Sequence, residues 1–234
     1  MKQTLLIALI LTSLSLSAQI SLKKLKSVIK GESVTTEEVA AGLKEALTNG
    51  VSKGSDLASQ VDGYFKNQEI KIPFPPDVQQ VETKLRAIGM GAQVDKFIES
   101  LNRGAEDAAK EAKPIFVSAV KQMTIQDAWA ILRGEQDAAT QYLKKTTTGD
   151  LTVKFMPIIK KSLEKVNATK YYSDLVNTYN KIPLVQKVNP NLDEYATGKA
   201  IDGLFILVAK EEKNIRANPA ARTSDLLKKV FSAK

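Results

Sequence analysis

The chain has 234 residues, a formal net charge of +8, and neither histidine nor cysteine. These absences exclude Ser-His-Asp and Cys-His catalysis, zinc sites built on His or Cys, Glu-x-x-His di-iron sites and disulfides. Carboxylates, amines, guanidinium groups and hydroxyls remain, and the composition points to a chain with no cofactor and no metal.

The chain opens with Met1-Lys2, an apolar block from Leu5 to Leu16, and then Ser17-Ala18-Gln19. A charged start, a short apolar middle and a small-residue exit form the pattern of a secretory signal peptide. The block is shorter than the roughly 20 apolar residues of a spanning helix. Residues 1–18 are therefore expected to be removed, leaving a mature start near Gln19. The expected location is exported and periplasmic, soluble after cleavage. The exit lacks the cysteine of a lipoprotein, so no lipid anchor is expected there. Residues 19–34 form a basic amphipathic segment. Leu22, Leu25, Val28 and Ile29 share one face, with Lys23, Lys24, Lys26 and Lys30 around them and no acid before Glu32. Such a stripe is too short to hold a helix alone in water. It is expected to dock on the domain, to lie on a membrane or to stay disordered, and where it has an outside partner, that is an anionic lipid surface or an envelope protein. No recognition helix, stacking motif or phosphate loop points to nucleic acid.

From residue 35 onward nearly every segment carries a helical period. Thr35-x-x-Glu38 is a capping box, and Val39, Leu43, Ala46, Leu47, Gly50, Leu57 and Val61 follow as one stripe. Gly50 and Gly54 lie four apart on or beside it and leave room for a neighbouring backbone. Glu69 to Phe74 alternates polar and apolar before Pro75-Pro76, which predicts a short extended segment near residues 69–74. A helix follows from Pro76, with Gly89 and Gly91 as its breakers. The next runs from Gln93 to Lys113. Its stripe of Val94, Phe97, Ile98 and Leu101 turns into Ala105, Ala108, Ala109 and Ala112. Pro114 predicts a kink or restart. Thr124 is read as capping a short helix that Gly134 closes. Glu135 to Lys145 reads as helix, and Thr146 to Gly149 as a loop. Leu151 to Val166 is helical with a kink at Pro157. An aromatic-rich helix carries Tyr171, Tyr172 and Tyr179. Asn191 is the expected cap of the long apolar helix to about Asn214, and Asn218-Pro219 opens the last. The expectation is an all-α fold, one bundle-like domain of eight to ten helices over residues 35–234.

Three polar groupings could carry chemistry. Asn102, Arg103, Glu106, Lys110 and Lys113 crowd one helix, with Asn102, Glu106 and Lys113 near one stripe beside the alanine face. Glu106 suits the acid of glycoside chemistry, which uses carboxylates and no histidine. Glu99-Ser100 resembles the catalytic pair of lytic transglycosylases, without their neighbouring motifs. The other reading is a polar interhelix network or a solvated face. Lys199 and Asp202 are the only charges between Gly198 and Ala209, at i, i+3 on one face. They are expected to form a partly buried ion pair, either fixing helix register or tuned by desolvation. Glu212 and Arg216 stand at i, i+4, with Arg222 beyond them. Arg222 is either an anion binder or a fastener of the C-terminal helix.

The same stretches carry a resemblance. Asn102-Arg103-x-Ala105-Glu106, Glu111-Ala112-Lys113-Pro114, Met123-Thr124-Ile125-x-Asp127-Ala128 and Asp137-Ala138-Ala139-Thr140-x-Tyr142 resemble an uncharacterised bacterial family, the domain-of-unknown-function family 4197. So do Lys199-Ala200-x-Asp202-Gly203-Leu204-Phe205 and Glu211-Glu212-x-x-Ile215-Arg216-x-x-Pro219-Ala220-x-Arg222. The resemblance covers roughly residue 35 to the C-terminus. It implies an exported helical protein and supplies no reaction, cofactor or partner. The function expected is therefore a non-enzymatic envelope binding or scaffold protein, with a carboxylate-dependent hydrolase of cell-wall polymer as the alternative.

Overall fold

The structure is a computed structural model that describes residues 33–122, 124–126, 128–188 and 192–233, with only the backbone of Asp77. The expectations on residues 1–32 and on the cap at Asn191 lie outside those residues. From Thr36 onward the chain forms one unit. Its α-helices are α1 (Thr36–Ala58), α2 (Gln79–Ala87), α3 (Gly91–Gln122), α4 (Ala128–Arg133), α5 (Ala138–Lys165), α6 (Ala168–Tyr179), α7 (Leu192–Ala217) and α8 (Asp225–Ser232). Short 3-10 turns occupy Pro76–Val78 and Pro219–Ala221. The fold is all-α, and no strand occurs among the described residues.

The four long helices set the architecture. Helix α1 packs on α3 and α7, and α5 packs on the same two, so the four close into a bundle. The stripes that predicted the helices are the faces that meet inside it. Val39, Leu43, Leu47 and Val51 of α1, Phe155, Ile159 and Leu163 of α5, and Ala200, Leu204 and Val208 of α7 are all buried. Helix α3 contributes Leu101 and the small face Ala105, Ala108, Ala109 and Ala112, every one buried. Small side chains there let helices approach closely. The same holds on α1, where methyls added to Gly50 and Gly54 would meet Val208 Cγ1 at 3.2 Å and Leu207 Cβ at 3.1 Å. Helices α2 and α6 cover α3, while α4 and α8 lie against α1.

Two helix boundaries have local causes. Helix α2 ends at Ala87 and is closed by Gly89, whose φ of +86° is left-handed. Gly89 N–H bonds Arg86 O at 3.1 Å and Met90 N–H bonds Leu85 O at 2.9 Å, a Schellman closure. Ser224 caps α8 by accepting from Leu227 N–H at 3.0 Å. Helix α4 begins at Ala128, four residues beyond the expected cap at Thr124.

One expected break does not occur. Helix α5 runs straight through Thr146 to Gly149. The hydroxyls of Thr146, Thr147 and Thr148 donate to the carbonyls of Tyr142, Leu143 and Lys144, four residues back. Those bonds follow the helical register, so the threonines lie along the helix without competing for its ladder. Pro114 and Pro157 sit inside α3 and α5. Each removes one backbone donor without dividing its helix, and the residues on either side are buried, Ala112 and Phe116 in α3, Phe155 and Ile159 in α5. At the end of the first stripe, Leu57 in the last turn of α1 and Val61 beyond the helix end at Ala58 are exposed.

Residues 59–75 connect α1 to the 3-10 turn before α2. The expected alternation is present: Ile70, Ile72 and Phe74 are buried while Glu69, Lys71 and Pro73 are exposed. The segment forms no sheet. Phe74 enters an aromatic trio, 5.3 Å from Phe97 and 6.0 Å from Tyr172, centroid to centroid.

Two glycines on the long helices separate packing from propensity. A methyl on Gly203 would approach Tyr64 Cε1 to 2.7 Å and Ile70 Cβ to 3.2 Å, whereas one on Gly149 meets nothing within 4 Å. Gly203→Ala is expected to destabilise the fold by about 1–3 kcal/mol through overpacking. Gly149→Ala is expected to stabilise it by about 0.5–1 kcal/mol. Urea unfolding of the two variants checks the opposite signs.

Candidate functional site

The C-terminal grouping lies in the interior. The side chains of Glu212 and Arg216 are both 0% exposed and meet at 2.7 Å. Glu212 also accepts from the backbone N–H groups of Ala139 at 3.0 Å and Thr140 at 2.7 Å, and from the Thr140 hydroxyl at 2.6 Å. These are amides of the first turn of α5, whose own N-cap residue, Asp137, makes no side-chain cap bond. Arg216 donates to the carbonyls of Leu132 at 2.7 Å and Ile131 at 3.1 Å, in the last turn of α4. A carboxylate thus faces a helix N-terminus and a guanidinium faces a helix C-terminus, each the favourable sign for the dipole it meets. Arg216 further lies 5.7 Å from the ring centroid of Phe231 on α8.

Arg222 completes this hub. It donates to Ile215 O and Arg216 O, both at 3.1 Å, and to Ser232 Oγ on α8 at 3.1 Å. Its donors cap the end of α7 and reach the last helix, which leaves the anion-binding alternative without a free fork of donors.

The α3 grouping is tied to residues 59–75. Asn102, fully buried, donates to Ile72 O and accepts from Ile72 N–H, each at 2.8 Å. The side-chain amide thereby supplies both bonds that a neighbouring strand would give. Glu106 Oε1 accepts from Tyr64 N–H and Phe65 N–H, each at 3.1 Å. Its other oxygen receives Arg103 Nη1 at 2.8 Å, and Arg103 Nη2 reaches Asp62 at 2.8 Å. The Glu106 carboxylate beside it, with Asp62, holds the Arg103 guanidinium above its ordinary value against the opposing effect of burial. Asp62 has a left-handed φ of +70° and is held below its ordinary 3.8 by bonds from Lys66 and Arg103. Tyr64 is buried and donates its phenol to Ala200 O at 2.7 Å, and burial pushes that phenol's pKa far up.

The other sequence candidates fall outside these two clusters. Lys113 points away from Glu106, to Asp56 of α1 at 3.4 Å on the surface. Lys199 and Asp202 do not form the expected buried pair. Lys199 is exposed, and Asp202, half exposed, pairs with Lys144 of α5 at 2.7 Å. The helix face they share turns outward, toward a groove of about 430 Å³ bounded by Ile70, Ile72, Phe205 and Ile206. Its charged rim is balanced, Lys71, Lys144 and Lys199 against Glu69, Asp137 and Asp202. Glu99 bonds Arg103 at 3.4 Å and the Ser100 hydroxyl bonds Phe97 O, so that dipeptide presents no paired groups to a substrate. Sequence reading missed Asp62 and Tyr64, which the α3 cluster holds, and Lys144. No spacing signal links these residues to partners some 40 to 136 positions away.

Among the described residues Ser55 Oγ is the one buried side-chain polar atom without a hydrogen-bond partner. No group of three carboxylates placed to hold a metal occurs among them, and no helix is long and apolar enough to cross a membrane. Fold and clusters together define an all-α domain whose buried polar groups serve its own backbone. The chain belongs to the domain-of-unknown-function family 4197, whose model, described as a protein of unknown function, matches residues 33–232. No curated protein and no solved structure matches the chain.

Glu212→Ala leaves Arg216 buried without its counter-charge and the first amides of α5 unpaired. A loss of about 3–5 kcal/mol is expected in urea unfolding. Glu212→Gln should cost less, since an amide oxygen still accepts from Ala139 and Thr140.

Asp62 gives a pH dependence. Its folded pKa is depressed, so its contribution is present above about pH 3.8 and is lost as pH falls through the lower folded value. The native chain should melt higher than Asp62→Asn near neutral pH, and the two melting temperatures should converge as pH falls below about 3.8.

Proposed function

We propose that this is a non-enzymatic exported protein of the cell envelope, acting as a binding or scaffold module in the periplasm. One observation carries the reading: the carboxylates and guanidinium groups withdrawn from solvent are each bonded to the chain's own backbone or to one another. Glu106, the acid that glycoside chemistry would require, accepts two backbone amides and Arg103, and its side chain is 6% exposed. An acid catalyst needs an open cleft and a second polar group within reach of the reacting atom. Glu212 is more deeply committed still. The periplasmic location rests on the pattern of residues 1–18.

Two measurements test the proposal. The chain recovered from the periplasmic fraction should begin near Gln19. Purified peptidoglycan incubated with it should release no soluble fragments. Fragment release that Glu106→Gln abolishes while its helical circular dichroism stays unchanged would replace this reading with the hydrolase.

A further inference from the structure

Residues 180–188, which follow α6 on the way to α7, form a pinched loop. The side chain of Asn180 donates to Val188 O at 3.0 Å and accepts from Val188 N–H at 3.0 Å. The near end is also tied back, with Ile182 N–H on Tyr179 O at 2.9 Å. At the tip stands Leu184, fully exposed at 106%, with φ of +63°. A bulky side chain in the left-handed region is an outlier, and asparagine or glycine would sit there with less strain. The loop therefore holds a large apolar group out in water through an unfavourable backbone, with no packing in return.

The charges around it point to what it meets. Lys181 and Lys187 flank the tip, both exposed, and neither forms an ion pair among the described residues. No acid occurs between Asp174 and Asp193. Pro183 beside Leu184 is exposed as well. An apolar protrusion between two unopposed cations is complementary to an anionic bilayer: the leucine enters the acyl boundary and the amines meet headgroup phosphates.

We infer that residues 181–187 form a membrane-contact loop that docks the domain on an anionic lipid surface, with Leu184 as its anchor and Lys181 and Lys187 as its headgroup contacts. One side chain and two charges make the attachment shallow, reversible and sensitive to salt. This deepens the proposed envelope-binding role and rests on it only for bringing the chain beside a membrane. The peptidoglycan assay bears on the absence of catalysis, and the vesicle assay below bears on the loop, so the two fail separately.

The chain has no cysteine, so Leu184→Cys offers a single labelling position for an environment-sensitive nitrobenzoxadiazole fluorophore. With vesicles of equal parts phosphatidylglycerol and phosphatidylcholine at low salt, its emission should brighten and shift to the blue. Phosphatidylcholine vesicles should leave it unchanged, and about 0.5 M salt should reverse the effect. Lys181→Gln with Lys187→Gln should lower partitioning about thirtyfold. Unlabelled Leu184→Asp, which removes no buried contact, should sediment less with the anionic vesicles than the native chain. Unchanged emission with anionic vesicles overturns the inference even when the protein sediments, because another part of the chain then makes the contact. An equal response to phosphatidylcholine alone overturns it too.

Discussion

Two helix ends inside the protein, the last turn of α4 and the first turn of α5, have to be satisfied without water. Ile131, Leu132, Ala139 and Thr140 are all buried there. Helix termini carry unpaired carbonyls at one end and unpaired amides at the other. The Glu212–Arg216 pair meets both demands from a third helix. One turn of α7 places a carboxylate against the amides and a guanidinium against the carbonyls, and each ion neutralises the other. A buried ion pair is weak support for stability when a hydrophobic pair of the same volume would serve. Here such a pair would strand the backbone groups of two helices, so the charges are needed. The path of the chain from α4 into α5, the seat of α7 between them and the approach of Phe231 on α8 all pass through this hub.

The second constraint is solved with one kind of side chain used twice. Asn102 pairs with both backbone groups of Ile72, and Asn180 with both backbone groups of Val188. In each case a side-chain amide takes the place of an adjacent strand, and extended chain lies on a helical body without a sheet. The consequences differ. The segment ending in Phe74 turns its apolar residues inward and closes over α3. The loop carrying Leu184 is pinched at its base and turns its largest apolar residue outward. Packing explains the first and has no use for the second, which is why the second points to something outside the chain.

The function proposed follows from where the polar groups are directed. The two interior clusters are closed networks, with bonds running from side chain to the chain's own amides and carbonyls. Closed networks rigidify a fold and specify it. Catalysis needs the opposite, a group held ready for atoms that arrive from outside. Surface features such as the Leu184 loop and the groove beside Ile206 are left to carry any recognition.

The sequence by itself determined the helical class, the helices' approximate places and the faces that meet. Periodicity of 3.6 is a local property, and burial of one stripe per helix follows from it. The alanine run of α3 and the paired glycines of α1 announced close contacts for the same reason. Local signals failed where a tertiary partner outweighs them. Three threonines and a glycine in a row read as a turn only until carbonyls one turn back and a buried Leu151 hold them in α5. The alternating segment is extended as its pattern reads, and what the pattern leaves out is that a single asparagine stands where a sheet would. Lys199 and Asp202 look buried because their neighbours in sequence are apolar, but their face of α7 turns to solvent and the acid finds Lys144 on another helix. Glu212 and Arg216 look like an ordinary surface pair at i, i+4. Only the tertiary structure places them between the ends of α4 and α5, since a spacing gives the distance between two charges and nothing about the medium around them.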